Sequence, residues 1–115
     1  MKRGDVYWAL LAPRSGSEQQ GARPVIVVSH DSFNAVPGWR SINVVPVSTS
    51  GGQARRRATA VPLPKGVAGL ASDSVALCHQ ITTLDRSKLA RCMGTLPPAL
   101  LAAVADGLKN ALDLS

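Results

Sequence analysis

The residues best equipped for chemistry are an arginine, two hydroxyls and a histidine, each carried on or beside an apolar segment. Arg23 lies in GSEQQGARPVIVVS, Ser48 and Thr49 follow VVPV, and His79 sits in SVALCHQIT. Pro24 fixes its own φ and pushes Arg23 towards an extended conformation, so the guanidinium stands on a stiff base. Permanently charged and carrying five donors in a rigid fork, it is suited to gripping a phosphate or a carboxylate. The same arginine also reads as a strand cap paired with Glu18, because surface ion pairs are common and contribute little. Ser48 or Thr49 could hydrogen-bond a nonbridging phosphate oxygen. His79, with an ordinary pKa of about 6.5, could move a proton, although an isolated strand histidine is more often a structural hydrogen-bonder. His30, at a strand end before Asp31, is the weaker candidate of the two.

Familiar catalytic machinery is missing around these residues. No Gly-rich phosphate loop leads into a helix, and Ser15, Ser17, Ser29 and Ser48 lack a GxSxG context. Cys78 and Cys92 have no CxxC spacing, the two histidines are far apart, and no metal site or cofactor is expected; both cysteines read as buried free thiols. Metal-free chemistry stays open for one class of polyanion. In RNA the 2′-hydroxyl is a built-in nucleophile, so a protein need only align it, stabilise the charged phosphorane and protonate the leaving 5′-oxygen. An arginine, a hydroxyl and a histidine suffice. Arg55, Arg56 and Arg57 form a second phosphate grip or simply a solvated loop. With 13 basic residues against 7 acidic ones and a net charge of +6, the chain favours a polyanionic or acidic protein partner over a neutral small molecule.

The elements that must position these groups are short. Residues 5 to 12 read as a first strand with Val6, Trp8 and Leu10 on one face, ended by Pro13. A long polar loop follows, and residues 24 to 30 form a central strand. Its Val25–Val28 run is buried on both faces, and Pro24 fits its first position. His30 to Arg40 has the composition of turns or one short helical turn. SINVVPVS resumes a strand in which Pro46 argues for an edge, a bulge or a bend. Residues 58 to 63 and 74 to 82 complete the strands, with His79 alternating inside the last of them. Asp85 is a candidate cap for a short helical turn. After Pro97 and Pro98, Leu101, Val104, Leu108 and Leu112 recur at helical spacing; Gly107 weakens this helix by about 1 kcal/mol relative to Ala.

The length and this order indicate one domain over residues 1–115, of α+β class and mainly β: a small twisted antiparallel sheet or barrel closed by a C-terminal amphipathic helix. Only 3% of residues are aromatic, all of them before residue 40, so the core is aliphatic and a long base-stacking platform is not expected. No apolar run is long enough for a membrane span and no signal core follows the Met-Lys-Arg start, which points to a soluble, cytoplasmic protein.

Taken together, RGDVYWALL, GSEQQGARPVIVVSHDSFN, VVPVSTS, the Asp73-Ser74 pair, CHQITTLDR and MGTLPPALL resemble, in this order, the MazF/PemK family of toxins from bacterial toxin-antitoxin modules. That resemblance implies an SH3-like barrel with short helices and an added helix, acting as a homodimer. It implies a metal-independent endoribonuclease, an mRNA interferase, that cuts single-stranded RNA (mRNA, or tRNA or rRNA) to 2′,3′-cyclic phosphate and 5′-hydroxyl ends. An acidic antitoxin would neutralise it by lying across the RNA site. By position, Arg23 and Ser48 match the family's catalytic Arg and Thr/Ser. Glu18, Gln19, Thr49, Arg55, Arg56, Arg57 and Gln80 would contact RNA, with the loop from Ser15 to Ala22 as a gate. His79 stands where some relatives carry an acidic residue, which leaves its acid/base role open. The alternatives are a non-catalytic CcdB-like toxin acting on DNA gyrase, or a degenerate member that only binds antitoxin. If the basic run grips phosphates, replacing Arg55, Arg56 and Arg57 with Ala flattens the salt dependence of RNA binding; an unchanged slope removes them from the site.

Overall fold

In the computed structural model, which describes residues 1–11, 21–49 and 58–115, seven strands precede a long C-terminal helix. They are β1 (Asp5–Leu11), β2 (Gly21–Val27), β3 (Ser41–Ser48), β4 (Ala60–Leu63), β5 (Ser74–Leu77), β6 (Thr82–Asp85) and β7 (Leu89–Thr95). The one-turn helix α1 (Asp31–Asn34) sits between β2 and β3, and α2 (Pro98–Leu112) ends the chain. The strands run in the order β4-β5-β3-β2-β1-β7, with β6 also on β3, and every pairing is antiparallel. β4 does not close onto β7 among the described residues. The expected barrel is therefore an open sheet of broadly SH3-like build.

β2 is buried on both faces, as its β-branched run requires. Ile26 packs with Val6, Val45, Val47, Cys78, Leu96 and Val104 on the side that α2 covers. Val25 and Val27 pack on the other side with Ala9, Leu11, Ile42, Val44, Leu84 and Leu89. The strand nevertheless begins earlier and ends earlier than its apolar run, at Gly21 and Val27. Pro24 is inside it, opposite Trp8 on β1. That is tolerated because β3 joins β2 only from Val25 onward, so Pro24 interrupts no ladder on that side.

Three expectations need correction. Residues 74 to 82 do not form one strand: a 3-10 turn at Cys78–Gln80 splits them into β5 and β6. β7 carries no strand signal, because Ala90, Arg91 and Cys92 are exposed along an edge strand that buries few side chains. Cys92 is accordingly an exposed thiol and only Cys78 is buried. The helical turns fare better. His30 caps α1 by accepting from Ser32 N at 3.0 Å, and Asp85 caps the turn Arg86–Lys88 by accepting from Ser87 N at 2.9 Å. Arg86 then fastens the segment after α1, donating to the carbonyls of Asn34 (3.1 Å), Val36 (3.0 Å) and Trp39 (2.9 Å).

Asp5 is the buried charge that closes the start of β1 onto the end of β7. It accepts from Lys2 N at 3.0 Å, from Lys2 Nζ at 3.0 Å and from Thr95 Oγ1 at 2.8 Å. Burial opposes its charge, but these hydrogen bonds prevail and hold the carboxyl below its ordinary value. A carboxyl depressed in the folded state contributes stability above its unfolded pKa and loses it as pH falls through the folded value. Asp5→Asn is expected to cost about 1–3 kcal/mol at neutral pH. It should also shrink the stability lost on acidification below about pH 4. Chemical denaturation at pH 7 and pH 3 checks both; an unchanged acid limb would exclude Asp5 as its source.

Candidate functional site

β3 changes partners within two residues. Val44 pairs with Thr82 on β6 and Val47 pairs with Ala76 on β5. Only Val45 and Pro46 separate these pairs on β3, whereas residues 77–81 separate them on the opposing chain. The surplus is folded into the 3-10 turn Cys78–Gln80. Pro46, which has no N–H to give a ladder, occupies the changeover. It is a buried interior residue rather than an edge one, and it stands where β3 exchanges β6 for β5. The turn sets His79 and Gln80 beside this changeover. Both are half-buried and both are held by neighbouring groups, so His79 reaches the site from a turn and not from a strand.

The β2–β3 ladder stops at Val25↔Pro46. Continuing its register by two residues sets Arg23 level with Ser48. By strand alternation both lie on the face that carries Val25 and Pro46. Arg23 has instead Ala9 of β1 as its partner, and Ser48 has Val75 of β5. The two residues singled out in sequence thus share a register level and a face just beyond the end of the ladder between their strands. Arg23 is half-buried, and its Nε, shielded from solvent, has no hydrogen-bond partner among the described residues. A buried donor without an acceptor is costly, and an anion supplies one. Ser48 is enclosed at 3% exposure while Thr49 is open to solvent.

Thr49 also forms one wall of a cleft of about 450 Å³, otherwise lined by Pro62, Leu63, Pro64, Asp73, Ser74 and Val75. It is mainly apolar. Its polar groups are partly engaged: Asp73 Oδ1 accepts from Lys65 N at 2.9 Å and Ser74 Oγ donates to Ser72 O at 2.8 Å. Sequence reasoning quoted the Asp73-Ser74 pair without placing it at the site. The signal was its position, polar residues at the start of a strand whose neighbour β4 contains Pro62 and is followed by Pro64. Glu18, Gln19, Arg55, Arg56 and Arg57 lie outside the described residues. No cluster of metal-ligating side chains occurs among the described residues.

Behind the turn, Cys78 is fully buried, and burial pushes its thiol up to about 11. It is a neutral packing group at neutral pH rather than a nucleophile. Its Sγ–H donates to Val104 O of α2 at 3.6 Å and its backbone N–H to Thr59 O at 2.9 Å. The arrangement offers a phosphate one partly desolvated guanidinium, an enclosed and an open hydroxyl, an imidazole and an adjoining apolar cleft.

Residues 2–112 match the family described as PemK-like, MazF-like toxin of type II toxin-antitoxin system. The endoribonuclease MazF of Staphylococcus epidermidis is 36% identical over 115 residues, spanning 100% of this chain and 90% of that protein. Among solved structures, MazF (Form-I) from Deinococcus radiodurans has a TM-score of 0.78 at 29% identity, covering 99% of this chain and 97% of that one. The MazE-MazF structure (Form-II) from the same organism gives 0.74 at 31% identity, covering 100% and 97%.

Proposed function

The chain belongs to the PemK-like, MazF-like toxin family of type II toxin-antitoxin systems, and on that premise we propose that it is a metal-independent endoribonuclease that cuts single-stranded RNA. The observation that carries the proposal is the position of Arg23 just past the last β2–β3 pair, with its Nε buried and lacking a partner among the described residues, at a level that the strand register shares with Ser48. The relatives' names support the substrate class, and the partnerless Arg23 Nε supports binding of a scissile phosphate beside it.

In the proposed reaction the 2′-hydroxyl loses its proton and attacks the adjacent phosphorus. The bond to the 5′-oxygen breaks, and that oxygen leaves protonated, giving a 2′,3′-cyclic phosphate and a 5′-hydroxyl. Negative charge builds on the nonbridging oxygens as the phosphorane forms. Arg23 answers it with charge-assisted hydrogen bonds, Ser48 and Thr49 with hydroxyl donors. His79 transfers one of the two protons, and Gln80 beside it positions the sugar-phosphate chain. The Thr49–Ser74 cleft takes a base adjoining the scissile bond. Glu18, Gln19 and the Arg55–Arg57 run extend the RNA contacts. A homodimer in the cytoplasm, neutralised by an acidic antitoxin, completes the reading; the net charge of +6 suits both RNA and such a partner.

Antitoxin-free protein incubated with a single-stranded RNA pool in EDTA is expected to generate new 5′-hydroxyl ends at short recurring sequences. Arg23→Ala should reduce their rate by at least about 100-fold, the scale of losing one transition-state donor. No new 5′-hydroxyl ends from the wild-type chain would overturn the proposal and favour a binding toxin. In the same assay, His79→Asn should lower kcat on the order of 100-fold while RNA affinity stays within about twofold. It should also remove one limb of the pH–rate profile. A profile that keeps both limbs returns His79 to a structural role.

A further inference from the structure

We propose that α2 positions the catalytic turn through the close approach of Gly107 to Cys78, which makes these two residues positioning residues for the cleavage reaction. The inference rests on the site reading given above. Gly107 lies in the interior of α2, where helix propensity favours Ala. A Cβ at position 107 would stand 2.7 Å from Cys78 Sγ, 3.3 Å from Cys78 Cβ and 3.3 Å from Val61 Cγ2. The absence of a Cβ is thus what allows α2 to approach Cys78 so closely.

Cys78 cannot readily yield. Its side chain has one rotatable bond and no exposed surface into which to swing the sulfur. The residue is pinned from two sides, by Sγ–H on Val104 O of α2 at 3.6 Å and by its N–H on Thr59 O at 2.9 Å. It also opens the 3-10 turn, which Ile81 N closes by donating to Cys78 O at 3.3 Å. His79 and Gln80 are the two residues between. Whatever displaces Cys78 thus moves the His79–Gln80 pair against β3, while Arg23 and Ser48, on β2 and β3, stay in place. In-line reactions are sensitive to shifts of this size, with a misplacement of about 1 Å costing on the order of 100-fold.

The test is Gly107→Ala in the full-length protein, read by steady-state RNA cleavage and by the amide resonances of His79 and Gln80. A kcat lowered about tenfold with KM within about twofold, and shifted His79 and Gln80 amides, is expected. Adding Cys78→Ala removes the sulfur that the new methyl meets, so the double variant should recover kcat to within about threefold. A folded Gly107→Ala protein with wild-type kcat and unmoved amides overturns the inference. So does a double variant as slow as the single one, since the sulfur contact would then not be the cause. Should Gly107→Ala not fold, Cys78→Ala alone decides: it withdraws the backing of the turn, and unchanged kcat and amides overturn the inference. If the wild-type chain makes no 5′-hydroxyl ends, the endoribonuclease reading fails, and the amide shifts still answer whether Gly107 sets the turn.

Discussion

The structure depends on β3 having to serve two strands on one edge. It pairs with β6 along its first half and with β5 at its end, and Pro46 occupies the changeover because a residue without an N–H loses nothing where no ladder exists. Everything at the site follows from that geometry. The partner chain between β5 and β6 has residues to spare, and the excess becomes the turn that presents His79 and Gln80. On the other edge, the β2–β3 ladder ends at Val25↔Pro46, one residue short of Pro24. Beyond it, Arg23 and Ser48 are released from each other's backbone while remaining neighbours by register. Two prolines on adjacent strands, Pro24 and Pro46, therefore mark where the β2–β3 ladder ends.

Much of this was legible, for identifiable reasons. The run Val25-Ile26-Val27 announced a doubly buried strand because β-branched side chains with no polar alternation leave no solvent face. Pro97-Pro98 and the Leu101–Val104–Leu108 spacing announced α2 because both signals are local. Arg23 and Ser48 were singled out by their proline-stiffened settings together with the family resemblance, since Arg23 read alone was equally a strand cap. What failed did so through tertiary context. Alternation across residues 74 to 82 suggested one strand, but alternation cannot see that the partner strand changes midway. β7 has an exposed edge and owes its state to β1, not to its own side chains. Gly107 looked like a weakness in a helix. Its burial against Cys78 shows that the lost propensity was exchanged for close packing.

The composition acquires a physical sense in the same frame. An almost purely aliphatic core on both sides of β2 contains few groups able to stabilise a charge, so the polar residues near it are engaged or placed at the margin. Asp5 shows the first case, with three donors around one carboxylate. Arg23 shows the second. A half-buried guanidinium at the edge of such a core has lost part of its hydration before any ligand arrives.

Partial desolvation distinguishes such a guanidinium from a fully solvated cation in what it can contribute to the proposed cleavage. A solvated arginine attracts phosphate equally before and during the reaction, with each exposed pair contributing roughly 0–1 kcal/mol, and so adds affinity without speed. A guanidinium already stripped of water interacts more strongly with each increment of charge on the phosphate, because the local dielectric is low and no reorganisation is needed. Charge grows on the nonbridging oxygens only as the phosphorane forms. The interaction is therefore stronger in the transition state than in the bound substrate, which is the condition for raising kcat. In the proposed reaction the net charge of +6 draws RNA to the surface, and one arginine at the edge of an apolar sheet supplies the charge that the transition state calls for.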